Sequence, residues 1–127
     1  MDYSYLLSQA MVKLGEGDLA GAETAFLEAV AAAEKIDPQG PRQAEALNYL
    51  AQHYQSSGQS GKAAEALQAV LAIYERFPEY GEGLVDYYLM LWSLLEQLGR
   101  PAEAQTYKEK AAILRQAQPE EGRKPWR

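Results

Sequence analysis

Three glycines, Gly17, Gly58 and Gly99, are separated by the same step of 41 residues, and each opens a matching stretch: GDLAGAETAFLEAV, GQSGKAAEALQAVL and GRPAEAQTYKEKAA. Pro38, Pro78 and Pro119 keep nearly the same step, at 40 and 41 residues, so the break between units recurs along with the turn inside them. A fixed period between about 20 and 50 residues marks a repeat array. In such an array one unit is too small to bury its own apolar face and must stack on its neighbours. A chain built this way is expected to act through a surface, not a catalytic cleft.

Within each unit the apolar residues recur at intervals of three and four, the helical period. Leu47, Leu50, Ala51 and Tyr54 form one stripe, and Ala63, Ala66, Leu67, Val70, Leu71 and Tyr74 form the next. The break at Gly58-Gln59-Ser60-Gly61 supplies residues that tolerate left-handed backbone and stop the first helix. The pattern predicts an all-α chain of six antiparallel helices, near 3–15 with 19–35, 42–57 with 62–77, and 83–98 with 101–117. One domain, 1–118, then holds repeats 3–37, 42–78 and 83–118, and a disordered tail covers 119–127. Pro101 suits the first turn of its helix, where a missing N–H costs nothing. Small residues recur where paired helices must touch: Ala22, Ala63 and Ala104 five residues after the marker glycine, and Ala29, Val70 and Ala111 twelve after it. Phe26 and Leu67 lie between them as filler.

Composition narrows the function. Twelve basic against eighteen acidic side chains leave a net charge of −6, which repels phosphate backbones and anionic lipid and argues against nucleic acid or membrane partners. A neutral to basic protein or peptide is favoured. The absence of cysteine removes thiolate zinc sites and a Cys nucleophile. The start, MDYSYLLSQAMVKLG, has an acid where a signal peptide needs basic residues, so the expected address is cytoplasmic. The only histidine, His53, has no ligand partners at metal spacing. No nucleophile, base and orienter set, phosphate-cradling loop or Glu-x-x-His pair occurs. The reading is non-enzymatic, without cofactor or metal.

The second unit, ALNYLAQHYQSSGQSGKAAEALQAVLAIYERFP, resembles the tetratricopeptide repeat, and in particular the longer repeats of kinesin light chains and their bacterial relatives. The resemblance covers roughly residues 3 to 118. It implies a right-handed superhelical solenoid that binds peptides or partner proteins in a concave groove lined by the first helix of each unit. Three positions depart from the pattern. Trp92 stands where Ala10 and Ala51 provide a small residue, so that helix is rolled, spaced apart or one residue out of register. Lys108 replaces Phe26 and Leu67, which predicts a partly solvated last helix of the kind that caps an array. Gln9 replaces Leu50, which weakens the first helix.

On that resemblance the groove face carries Ser4, Leu7, Met11 and Leu14 in unit one. Unit two contributes Glu45, Asn48, Gln52, Gln55 and Ser56, and unit three Asp86, Leu89, Ser93, Glu96 and Gln97. In kinesin-light-chain-like repeats an asparagine in the LN(N)LA context contacts bound peptide, and Asn48 matches it; the bland alternative is a solvated amide. An amide both donates and accepts, as a peptide backbone requires, and Gln52 extends the ladder one turn further. Leu7, Met11, Asn48, Gln52, Gln55, Leu89 and Ser93 are therefore the candidate peptide contacts. No groove residue is basic, which argues against a clamp for a terminal carboxylate.

The helix over 83–98, GLVDYYLMLWSLLEQL, is apolar on nearly every side. Either it is sandwiched between helix pairs, or the surplus at Leu89, Met90 and Trp92 meets another protomer or partner helix. Of nine tyrosines, Tyr54 and Tyr74 fall on buried stripes, whereas Tyr3, Tyr5, Tyr80 and Tyr87 are surface candidates. The rivals to a peptide-binding module are a scaffold that self-associates through exposed terminal helices, and the interaction part of a larger regulator.

Overall fold

A computed structural model describes residues 2–77, 79 and 81–117. Six helices follow in order: α1 (Tyr3–Gly15), α2 (Leu19–Ile36), α3 (Pro41–Ser56), α4 (Ser60–Tyr74), α5 (Gly81–Gln97) and α6 (Pro101–Ala117). They pair as α1 with α2, α3 with α4 and α5 with α6, and α2 also packs on α3. The chain divides into two compact units, Met1–Pro78 and Glu79–Arg127. The first holds two hairpins and the second holds one. Tyr80 and the 119–127 tail expected to be disordered lie outside the described residues.

Each hairpin closes on the same turn. Gly17, Gly58 and Gly99 have φ of 80°, 77° and 74°, a left-handed backbone that costs a Cβ-bearing residue about 1–2 kcal/mol. Gly17 N–H donates to Leu14 O at 3.0 Å and Asp18 N–H to Lys13 O at 2.8 Å. The second turn repeats this with Gly58 N–H to Gln55 O and Gln59 N–H to Tyr54 O, and the third with Gly99 N–H to Glu96 O and Arg100 N–H to Leu95 O. This bonding pattern is the Schellman motif, which satisfies the carbonyls a helix end leaves open and turns the chain back. Helix α4 starts at Ser60, so Gly61 is its second residue and not part of the break that the sequence predicts.

The following helices start on local signals. Asp18 caps α2, its Oδ1 accepting from Gly21 N–H at 2.9 Å, and Pro41 occupies the first turn of α3. Before α3, Gly40 N–H donates to Asp37 O at 2.9 Å and Gln39 takes φ 56°. Gln43 bends back to accept Gln39 N–H at 2.7 Å, which satisfies a buried amide. Helix α4 ends at Tyr74, three residues before the predicted 77, in a turn where Phe77 N–H donates to Tyr74 O. The residue ahead of a proline resists the helical region, and Phe77 precedes Pro78.

Close packing inside each hairpin rests on the small residues the period marks. Ala22, Ala63 and Ala104 are buried, as are Ala29, Val70 and Ala111. In the first unit Phe26 and Leu67 are the large filler, both buried. The second unit keeps the same turn and the same buried alanines with Trp92 in place, so register is not displaced. There the bulk has moved from the second helix to the first. Trp92 is half-buried, and Lys108, in the Phe26 and Leu67 position, lays its ammonium 5.1 Å from the indole centroid. A flexible stem with a charge attracted to the ring face takes the room a second large apolar group would overfill. Helix α6 otherwise buries only Ala104 and Ala111, which is the solvated last helix the sequence predicts.

Two tyrosine bonds tie the hairpins of the first unit together. Tyr3 Oη donates to Glu45 Oε1 at 3.1 Å, joining α1 to α3. Tyr54 Oη donates to Glu23 Oε2 at 3.2 Å, joining α3 to α2. Lys62 of α4 lies 3.8 Å from the same Glu23 oxygen and 5.6 Å from the Tyr54 ring centroid. Burial, followed by the Glu23 charge and hydrogen bond, raises the Tyr54 phenol above its ordinary value of 10.0. Tyr3 is raised in the same direction by burial and then by Glu45.

Two outcomes follow. Replacing Gly58 by Ala should lower the unfolding free energy by about 1–2 kcal/mol, whereas Gly61→Ala, a helical site with open space around it, should be neutral or stabilise by up to about 1 kcal/mol; urea unfolding compares them. The raised Tyr54 phenol contributes stability that is present below pH 10 and is lost as pH rises through its folded value. Stability measured from pH 9 upward should therefore fall less steeply in Tyr54→Phe than in the parent, and an equal slope contradicts the linkage.

Candidate peptide-binding face

The first helices carry one unburied strip at a common register. In α3 it runs Glu45, Asn48, Gln52, Gln55, a spacing of three, four and three that keeps side chains in one row along a helix. Asn48 is half-buried and the other three are exposed. Seven other residues of α3, Gln43, Ala44, Ala46, Leu50, Ala51, His53 and Tyr54, are buried, while Arg42 and Ser56 are exposed. The row is left over because it lies opposite the contacts with α2 and α4. In α1 the equivalent row is Ser4, Leu7, Met11, Leu14, with Met11 exposed and Leu7 and Leu14 half-buried.

These two rows are neighbours. The Tyr3–Glu45 bond joins their starts, and a cluster of Leu6, Ala29, Ala33 and Ala46 lies beneath, with Tyr3 and Leu7 packed against it. Leu7 is thus partly committed to the core, and Met11 is the freer apolar contact. Of the surface tyrosines expected, Tyr3 is half-buried and bonded, Tyr5 is exposed, and Tyr87 is half-buried. Glu45 receives the Tyr3 hydroxyl, so the acid nearest the amides is already occupied by a donor. The row offers an apolar contact on α1 and three amides on α3, and no cation.

In the second unit, described by itself, α5 presents Asp86, Ser93, Glu96 and Gln97 to solvent and leaves Leu89 half-buried. Met90 is exposed. Trp92 is half-buried, with the Lys108 ammonium over its ring, so of the surplus read at Leu89, Met90 and Trp92 the indole is met from within the hairpin and Met90 is left exposed. Tyr88 and Tyr107 stack at 6.2 Å, and Lys110 lies 5.7 and 5.6 Å from their centroids. The sequence pattern does not announce this pairing of two tyrosines with a lysine.

Three features of the first unit escape sequence reasoning. His53 is buried, with ring centroids of Phe26 and Tyr54 at 5.5 and 5.8 Å and no partner for its Nδ1. The signal was its register, because Leu94 occupies the matching place one repeat on and is buried too. Gln43 is buried through its bond to the preceding turn. Tyr49, half-buried beside Asn48, edges the amide row. Among the described residues no helix is long and apolar enough to cross a membrane, and no three metal-ligating side chains converge.

Comparison with known proteins follows the same lines. The tetratricopeptide repeat profile matches residues 3–76. Among solved structures, BtubC (BKLC) from P. vanneervenii superposes with a TM-score of 0.76 at 21% identity over 91% of this chain and 47% of that one. The chain thus spans about half the length of that protein, a kinesin-light-chain-like repeat protein, and at this identity the likeness is one of fold. No curated protein matches. Three identical glycine turns, alanine contacts at a 41-residue step and a profile covering more than half its length agree: the chain belongs to the tetratricopeptide repeat family.

Proposed function

We propose that this chain is a non-catalytic interaction module whose first-helix face binds an extended segment of a partner protein. Repeats of this family generally mediate protein–protein interaction. The observation that carries the finer reading is the amide row of half-buried Asn48 and exposed Gln52 and Gln55, on the side of α3 away from its seven buried residues, with Met11 of α1 exposed as well. Amides spaced along one face can each take a backbone N–H or C=O from an extended chain, while the thioether accepts an apolar side chain of irregular shape. The net charge of −6 selects neutral to basic segments. Leu89 and Ser93 would serve the same purpose on the second unit. The face stands ready without rearrangement, which limits the ordering cost to the guest. The family is commonly cytoplasmic, and a partner in that compartment is the one we favour.

The test is a panel of short peptides, graded from basic through neutral to acidic, bound to the purified chain and to its Asn48→Ala/Gln52→Ala variant. Neutral and basic peptides should bind. The double variant should lose roughly tenfold or more, about 1.4 kcal/mol, with its thermal midpoint unchanged because both side chains lie off the core. Equal affinity in the variant, or preference for acidic peptides, removes the face from consideration.

A further inference from the structure

Two tyrosines of the first unit, Tyr54 and Tyr3, are each bonded to a glutamate of another helix, and a cation completes one of the two groups. Between α2 and α3, Tyr54 Oη donates to Glu23 Oε2 at 3.2 Å. Lys62 of α4 brings its Nζ to 3.8 Å from the same oxygen and to 5.6 Å from the Tyr54 ring centroid, so one ammonium meets both a carboxylate and the ring bonded to it. Between α1 and α3, Tyr3 Oη donates to Glu45 Oε1 at 3.1 Å. Among the described residues no lysine or arginine pairs with Glu45. Arg42, one turn earlier on α3, is exposed and its charge is felt at the Tyr3 phenol, but it does not close onto the glutamate. The uncompleted pair is the more accessible one, with Glu45 exposed and Tyr3 half-buried against a half-buried Glu23 and a buried Tyr54.

We propose that Tyr3 and Glu45 receive a lysine of the bound segment, its ammonium on the Glu45 carboxylate and against the Tyr3 ring in the manner of Lys62 on Glu23 and Tyr54. The site rests on the peptide-binding reading of the first-helix face and names a residue that its guest carries. A carboxylate offers about four acceptor positions; the Tyr3 hydroxyl uses one, restrains the group and leaves the rest open. An ammonium is a compact charge with three donors on a flexible stem, which suits a remaining carboxylate oxygen with a ring beside it, and attraction to the ring adds to the ion pair. Glu45 also begins the row that runs on through Asn48, Gln52 and Gln55. A lysine held there fixes the end from which the guest's backbone passes along the amides. Neither the α1 row nor the α3 row contains a lysine or arginine, so no residue of the rows competes for the carboxylate. Preference for a basic guest thus gains a location, where the net charge of −6 alone would favour a cation at any position.

The test takes a neutral peptide that binds the full chain and moves a single lysine through it position by position, with affinity read by fluorescence anisotropy and the fold of each variant checked by circular dichroism. One position near an end of the peptide should gain about fivefold over the neutral parent peptide, and the gain should recede as salt is added. Glu45→Gln should abolish that gain, and Tyr3→Leu, which takes away both the hydroxyl and the ring, should at least halve it. Glu34→Gln removes the same charge from an exposed site on α2 and should leave the gain intact. A lysine that helps equally at every position, or a gain that survives Glu45→Gln or is lost as fully in Glu34→Gln, overturns the site while the face stands. If the chain binds no peptide of any charge, the face itself fails and the site falls with it.

Discussion

The contact on which everything else rests is the close approach of two helices inside each hairpin. It needs a small side chain at two points on the second helix and a turn that reverses the chain within about three residues. Five alanines, Val70 and the left-handed glycines supply these in all three hairpins. Small residues permit the shorter end of the usual 8–10 Å interaxial range, and the Schellman bonds remove the cost of open carbonyls at the reversal. Once the hairpin is made, its remaining apolar area is a surface problem, and the repeat solves it by placing the next hairpin on top. The Leu6, Ala29, Ala33 and Ala46 cluster shows this in the first unit, where three helices meet over one group of mostly small side chains.

Variation between repeats is coupled in pairs. Where the second helix gives up Phe26 or Leu67 for Lys108, the first helix exchanges alanine for Trp92, and the volume at the contact is held by a different partner. Neither substitution is legible alone. Trp92 by itself reads as a steric error and Lys108 as a hole in the core. Together they keep the hairpin closed and make its outer side polar. His53 is the converse case, a polar residue held at an apolar register by two aromatic neighbours, with one ring nitrogen left unpartnered. An orphaned buried nitrogen costs stability, and its surroundings are those of a packing residue.

Sequence carried the fold a long way because the signals that define it are local and repeated. The glycine turns, the three-and-four apolar spacing and the proline breaks each act within a few residues, and three copies average out the noise of one. Helix ends were less legible where two local rules compete, as at Tyr74, where helical spacing continues to Phe77 but the following proline opposes it. Side-chain partners across helices were not legible. The Tyr3–Glu45 and Tyr54–Glu23 bonds span 42 and 31 residues, and nothing in either segment announces the other. Tyr3 was read as a surface candidate, and its bond to Glu45 leaves it half-buried. For the candidate face the register could be counted from the turn, which sets Asn48, Gln52 and Gln55 in one row; Gln52 and Gln55 are exposed and Asn48 is half-buried. How far Leu7 sinks toward the cluster beneath it depends on α2 and α3 and could not be counted.

A repeat of this kind presents two sorts of surface, and their chemistry differs for a physical reason. The row on the first helix recurs in every repeat and is nowhere fully buried, so its chemistry can vary, and here it varies from apolar on α1 to amide on α3 and to serine and acid on α5. The stacking strips recur too, but an interior strip must be apolar or small because a neighbour removes it from water. Where no neighbour covers a strip, that requirement lapses. On α6 lysine and arginine stand exposed in the places that phenylalanine and alanine hold on α2, and on α1 Tyr5 and Val12 are exposed where Ala46 and His53 of α3 are buried; the same register position therefore takes its chemistry from what packs on it and not from the repeat.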